Sequence, residues 1–341
     1  MEKQDIARYL TPCKLGRPVL TGSGEPGAFD EKAVDCPFVF WHGGTYYMMY
    51  VGFNGIGYQT ALATSENLLD WLHLGTILKR GDGNGWDSKN TAGCWILREN
   101  DLNGLPKLKK WKNRYWLIYH TYPEDGYEEG AGRFGLAWTE DESLLTWNRL
   151  PKPILTPEEG AEWERGGLYK ECLLEHEGKF YLFYNAKNIP DGGRPWIEQT
   201  GLAVSSNLTD WERHAGNPVL QVSPDRWDSR FVSDPCVLRD GDRWVMYFFG
   251  YDGKHAQEGI ALSDNLTEWS KYREPILTSG QEGGIDSIHA HKPSVVRHNG
   301  ILYHFYCACR PHREGDPTIN WGSEFRSISV AVSEPVEDKL L

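Results

Sequence analysis

The chain has 341 residues, a formal net charge of -12, 40% hydrophobic residues and 13% aromatic residues with 15 Trp. The acidic balance excludes a sequence-independent nucleic-acid binder, which needs a basic face to release counterions, so no nucleic-acid partner is expected. Seven cysteines, an odd number that includes Cys94, Cys172, Cys236, Cys307 and Cys309 in strand contexts, read as reduced core thiols and not as a disulfide frame, and no CxxC zinc pair is present.

The first ten residues, Met1 to Leu10, lack the apolar run and small-residue cleavage site of a secretory signal, and no apolar stretch reaches membrane-spanning length. A cytoplasmic protein with no membrane partner is expected, and the Asn-Leu-Thr sequons at Asn207 and Asn265 then carry little weight.

From Arg17 onward the chain repeats itself. The phrase Arg17-Pro-Val-Leu20 returns as Gly75-Thr-Ile-Leu78, Lys152-Pro-Ile-Leu155, Asn217-Pro-Val-Leu220 and Glu274-Pro-Ile-Leu277, which marks five units. After each comes a polar loop with an aromatic or apolar residue before an acid: Phe29-Asp30, Trp86-Asp87, Trp163-Glu164, Trp227-Asp228 and Ile285-Asp286. The spacing is a loose period with insertions, the longest being Arg98 to Leu108 in the second unit.

Next in each unit stands a hairpin. Ala33 to Tyr50, Tyr169 to Tyr184, Ser233 to Tyr247 and His291 to Tyr306 each read as an apolar strand, a tight turn with Gly44, Gly178, Gly241 or Gly300, and a β-branched or aromatic strand. A third strand follows with small residues, as in Gly201-Leu-Ala-Val-Ser205 and Gly259-Ile-Ala-Leu-Ser263. Four units then add a polar turn ending in Trp71, Trp147, Trp211 or Trp269.

Four short strands per unit, repeated radially, predict an all-β fold: a five-bladed β-propeller with four-stranded antiparallel blades, one domain over residues 1–341. The fifth unit lacks its last strand, so residues 9–20 are expected to pair beside Ile328 to Ser333, the N-terminal strand closing the ring.

In a propeller the first strand of each blade lines the axial channel. Aligning Asp35-Cys-Pro37, Ala92-Gly-Cys94, Tyr169-Lys-Glu171, Ser233-Asp-Pro235 and His291-Lys-Pro293 brings three carboxylates, Asp35, Glu171 and Asp234, toward one pocket. Crowded acids repel, which raises at least one pKa and keeps a general acid protonated, the condition for cleaving a glycosidic bond between paired carboxyl groups. Asp234 before a proline also reads as a turn residue, whereas Glu171 interrupts a run headed for the core.

His289-Ala-His291 places two rings on one side of a strand. As a metal pair it lacks further ligands, so no metal site is expected and His291 is read as a substrate or proton-transfer residue. His289, Lys170, Lys292 and Trp86 complete the expected substrate-binding set, although the recurrence of Trp-Asp-Ser at Trp86 and Trp227 favours a turn cap. The stretches Tyr122 to Gly130 and Asn188 to Trp196 are long enough to form the pocket rim.

Asp35 ahead of Gly44-Thr-Tyr-Tyr47, the Ser206-Asn-Leu-Thr-Asp-Trp211 turn and the Pro-Ile-Leu phrases resemble the five-bladed propeller glycoside hydrolases of families 43, 32, 62, 117 and 130 from about Arg17 to Ser333. Resemblance to family 43 implies a general base at Asp35; that family has Asp in the third blade and Glu in the fourth, where this chain has Glu171 and Asp234. His291-Lys-Pro293 resembles the element of family 117 in which a histidine is the acid. The resemblance implies an exo-acting, inverting glycosidase acting on small oligosaccharides or glycosides, with no required cofactor and a calcium or sodium ion on the axis as in several relatives. In that reading Asp35 activates water, Glu171 or His291 is the acid, and Asp234 tunes pKa. A phosphorylase like family 130, with Lys170, Lys292, Arg165 or Arg230 as the phosphate cation, and a non-catalytic carbohydrate-binding propeller are the alternatives. Neither the sugar nor the oligomeric state is set by the sequence.

Overall fold

The computed structural model describes residues 2–81, 83, 85–193, 195–316 and 324–336. Antiparallel sheets make up most of it, because the period-two alternation of apolar residues in each hairpin buries one or both strand faces. One sheet runs in order through Ala33–His42, Thr45–Phe53, Tyr58–Ser65 and Leu72–Leu78. Another holds Ala92–Ile96, Tyr115–Thr121, Arg133–Thr139 and Asn148–Arg149.

The third and fourth units have the same order, Gly167–His176 to Glu212–Arg213 and Phe231–Asp240 to Ser270–Lys271, and join through a single parallel bridge between Glu198 and Phe231. In the last sheet His289–His298, Ile301–Pro311 and Glu324–Val332 pair in turn, and the N-terminal strands Cys13–Lys14 and Leu20–Thr21 both pair antiparallel with Glu324–Val332. The expected pairing of the N-terminus with the last strand is therefore present. Among the described residues no helix is long and apolar enough to cross a membrane.

The acids of the recurring polar loops have structural partners. Tyr119, Tyr184 and Tyr306 donate their hydroxyls to Asp87, Glu164 and Asp286. Cations from outer strands also reach acids of these loops: Arg149 on Asp87 at 3.0 Å, Arg213 on Glu164 at 2.9 Å, and Lys271 on Asp228 at 2.5 Å. Lys14, from the N-terminal strand, serves Asp286 in the same way. The turns before Trp71, Trp211 and Trp269 also repeat, with Asn67, Asn207 and Asn265 accepting amide hydrogens of the turn through Oδ1. The two sequon asparagines are thus turn residues.

Trp86, expected in the substrate-binding set, stacks on Tyr119 and donates its indole N–H to the Pro151 carbonyl, and it does not line the cavity described below. The correction has a packing reason, since Trp163 on Tyr184 and Trp227 on Phe248 repeat the same stack as internal layers. These rings lie over the small residues of the third strands. A Cβ on Gly259 would come within 2.6 Å of both Phe248 and Trp227. The insertion after Ile96 ties distant units together. Arg98 is fully buried, donates to the Val39 carbonyl and stacks on Phe38 and Trp95. Further along, the Leu102 amide donates to the Arg239 carbonyl and the Arg239 amide to the Asn100 carbonyl.

Gly259→Ala is expected to cost about 1–3 kcal/mol of unfolding free energy through overpacking against two aromatic rings. Urea denaturation beside the wild type measures it, and an unchanged midpoint would contradict the close packing.

Candidate functional site

A β-bulge interrupts each inner strand where the aligned motifs fall. Pairing skips between Asp35 and Phe38, Gly93 and Trp95, Tyr169 and Glu171, Ser233 and Cys236, and His291 and Ser294. Cys36, Lys170, Asp234 and Lys292, the middle residues of four motifs, adopt left-handed backbone with φ of 53°, 37°, 53° and 65°. An extra residue bends the strand and re-aims its side chain. All four side chains line the floor of one cavity of about 280 Å³.

The three acids read as equivalent occupy three different steps of this bulge, so they do not converge. Asp234 is the bulge residue and lines the cavity, held 3% exposed. Asp35 precedes its bulge and lies beneath the lining, where Lys292 and Arg326 each donate to Oδ2 at 2.8 Å, Tyr127 donates to the same atom, and the Cys36 amide donates to Oδ1. Glu171 follows its bulge, is fully buried behind the wall, and has its Oε2 3.3 Å from His120 Nδ1.

The walls come from loops and from the starts of third strands. Tyr127 and Glu128 reach in from the 122–130 stretch and Trp196 from the 188–196 stretch, as expected of rim segments; Arg194 of the latter lies outside the described residues. Glu198 and Arg326, which sequence reading missed, hold the same place in two third strands, three residues before Gly201 and Ser329. For Glu198 the recurring phrase Tyr58-Gln-Thr, Glu198-Gln-Thr and Ala256-Gln-Glu before a small residue was the available signal.

Charge in this cavity is sharply sorted. Burial would raise Asp35, but the Lys292 and Arg326 cations outweigh it and hold its carboxyl well below the usual range. Glu128 is also shifted down, burial being outweighed by Lys292, which sits 3.4 Å from its Oε1. Asp234 goes the other way: burial pushes it well above the ordinary value despite Lys292 and Lys170, and among the described residues no donor bonds its oxygens. Glu198 is likewise raised by burial, although Asn185, Trp196 and Ser233 all donate to it.

His291 and His289 both line the cavity. Burial, reinforced by Arg326, keeps His291 neutral and pushes His289 down to about 3. His291 Nδ1 lies 3.2 Å from the Cys307 carbonyl, to which it donates, and Nε2 lies 3.5 Å from Arg326. A neutral imidazole is a weak acid, so this environment disfavours His291 as proton donor. The floor also bears on the axial ion that the resemblance implied. Calcium takes six to eight oxygen ligands. A floor of one thiol, two ammonium groups and one carboxyl does not fit such an ion.

The opposed shifts predict opposed stability effects. Asp35, with its folded pKa lowered, contributes stability that is present above its unfolded pKa of about 3.9 and lost as pH falls through the folded value. Asp234, with its folded pKa raised, loses stability as pH rises from about 3.9 toward its folded value. Asp35→Asn is therefore expected to destabilise at neutral pH, and Asp234→Asn to stabilise there with the gain vanishing below about pH 4. Urea denaturation across that pH range tests both signs.

A family model for the glycosyl hydrolases family 32 N-terminal domain matches residues 90–287. Among curated proteins, the chain is 27% identical over 135 residues to a beta-1,2-mannobiose phosphorylase of Thermoanaerobacter sp. (strain X514), covering 36% of this chain and 43% of that protein. It is 26% identical over 125 residues to a 1,2-beta-oligomannan phosphorylase of the same strain, covering 35% and 42%. The chain thus spans less than half the length of these curated relatives. Among solved structures, one described as a glycoside hydrolase is 28% identical with a TM-score of 0.83 over 99% of this chain and 96% of that one. A thermostable family-43 glycoside hydrolase, 19% identical with a TM-score of 0.64 over 93% and 96%, shares the fold. The expected resemblance to the propeller glycoside hydrolases holds, and with the family model matching more than half of its residues the protein belongs to the glycosyl hydrolases family 32 N-terminal domain family.

Proposed function

We propose that the five sequence units are the blades of a five-bladed propeller closed by residues 13–21, and that its cavity cleaves the terminal glycosidic bond of a small oligosaccharide or glycoside. The feature that carries this reading is a pair of carboxyl groups lining one cavity whose environments shift them in opposite directions, Asp234 upward through burial and Glu128 downward, where Lys292 outweighs burial. Carboxyl groups whose environments push their pKa values apart are the working parts of acid and base catalysis. At about 280 Å³ the cavity sits just below the usual range for small-molecule sites, ~300–1,000 Å³, which favours holding one terminal sugar.

Asp234 then gives its proton to the leaving glycosidic oxygen, and Glu128, whose Oε2 receives no hydrogen bond among the described residues, takes a proton from the attacking water. The product has inverted anomeric configuration, because water and not a side chain adds to the sugar. Asp35, expected to be the base, has both oxygens engaged by donors and serves instead to place Lys292 and Arg326. Aromatic faces of Tyr122, Tyr169 and Trp196 supply the apolar walls that sugar rings pack against.

A second reading, phosphorolysis, is supported by Lys187 and Arg230. Both line the cavity and lie over the Trp196 ring, and neither has a carboxylate within ion-pair distance among the described residues. Two such cations suit a phosphate that would replace the attacking water. Similarity to two proteins named as phosphorylases agrees with it.

Aryl furanosides and pyranosides, with β-1,2-mannobiose added, should be offered to the wild type with and without inorganic phosphate. Turnover is expected, reduced at least about 100-fold in kcat by Asp234→Asn and by Glu128→Gln, with folding retained. Turnover that requires phosphate would assign phosphorolysis and predict that Arg230→Ala raises the KM for phosphate. Saturable sugar binding with no turnover would replace this reading by a non-catalytic carbohydrate-binding propeller.

A further inference from the structure

Behind the cavity wall, the second and third units bring Cys94, His120 and Glu171 together, three fully or nearly fully buried side chains whose potential ligand atoms all lie within 4.8 Å of one another. We propose that these three residues bind a zinc ion, with a fourth coordination position open toward the cavity. The inference does not depend on glycoside cleavage, and its test reads the metal alone.

Geometry supports it first. Cys94 Sγ is 3.4 Å from His120 Nδ1, and that nitrogen is 3.3 Å from Glu171 Oε2. Tetrahedral zinc, with bonds of about 2.3 Å to sulfur and about 2.0 Å to nitrogen or oxygen, places its ligand atoms about 3.5 Å apart along a sulfur–nitrogen edge and about 3.3 Å apart along a nitrogen–oxygen edge. The sulfur–nitrogen and nitrogen–oxygen pairs already stand at those separations.

Unsatisfied polar groups support it independently. Glu171 is 0% exposed and its Oε1 has no hydrogen-bond partner among the described residues. A buried carboxylate short of partners is costly, and among the described residues this one faces no cation within ion-pair distance other than the histidine. His120 does not repair the deficit. The Lys170 amide donates to Nδ1 at 3.3 Å, which assigns the ring proton to Nε2 and leaves Nδ1 as a lone-pair donor turned toward a thiol and a carboxylate. Lone pairs of sulfur, nitrogen and oxygen converging in a dry site suit a borderline cation such as zinc, which the hard ions calcium and sodium do not match. One thiolate and one carboxylate also neutralise its two charges.

A second cluster shows what a cation-excluding site looks like. His291, Cys307 and Cys309 lie equally close together, but Arg326 Nη1 stands 3.5 Å from His291 Nε2 and 3.9 Å from Cys307 Sγ, so a guanidinium already fills that role. At the proposed site His120 borders the cavity. Three protein ligands with an open fourth position is the arrangement of reactive zinc sites, where the ion polarises a bound oxygen.

The protein would be stripped with a chelator, loaded with zinc chloride, desalted and assayed for metal by elemental analysis, with cobalt(II) as the absorbing substitute. One zinc per protein molecule and a thiolate-to-cobalt charge-transfer band are expected. Cys94→Ser and Glu171→Gln should each weaken zinc binding at least about 100-fold, with folding checked by circular dichroism, while Cys307→Ser binds as the wild type does. Wild-type protein that retains no zinc and gives no cobalt–thiolate band would overturn the site whatever the variants do, as would equal retention by folded Cys94→Ser.

Discussion

One backbone device organises the cavity: the extra residue inserted into each inner strand. Without it, alternation would send every second side chain of those strands into the packing between sheets. With it, Cys36, Lys170, Asp234 and Lys292 turn out of the ladder and meet at one floor. A left-handed backbone is uncommon for residues with a Cβ, and it persists only where the surrounding sheet over-determines it. Here the ladders on both sides of each bulge are continuous, so the strain is carried by the most rigid part of the molecule.

That rigidity matters because the floor is charged and nearly dry. Lys292 is the hub: its ammonium contacts Asp35 and Glu128 and lowers the pKa that burial has raised at Asp234. Burial would lower its pKa, yet Asp35 foremost, then Cys36, outweigh it and hold it above the ordinary lysine value. Asp35, Glu128 and Asp234 are therefore all pulled downward by the same cation. Asp35 holds it through an ion pair of 2.8 Å.

The repeating architecture was legible because each unit advertises the same phrases, and the hairpins, the small-residue strands and the pairing of the N-terminus with the last strand follow from them. The site was only partly legible. Motif alignment treated Asp35, Glu171 and Asp234 as one position, but a bulge makes three consecutive residues point three ways, and nothing in the letters marks which of them is the inserted one. Glu198 and Arg326 escaped notice for a different reason: they belong to strands whose conspicuous feature is the small residue three places later. Trp86 misled in the opposite sense, since an aromatic beside an acid suits a sugar platform and a packing layer alike, and only its stack on Tyr119 decides.

The strands at residues 13–14 and 20–21 find their partners at residues 324–332, some three hundred positions away. On the ribosome the first of these segments emerges long before the second is translated. The early sheets can form as they appear, whereas the strands at residues 13–14 and 20–21 must wait as an unpaired edge, with Lys14 separated from Asp286, until residues 324–332 have been made. Synthesis itself thus sets the order of assembly, and a nascent polypeptide stalled before Glu324 would display an open edge that chaperones have to shield.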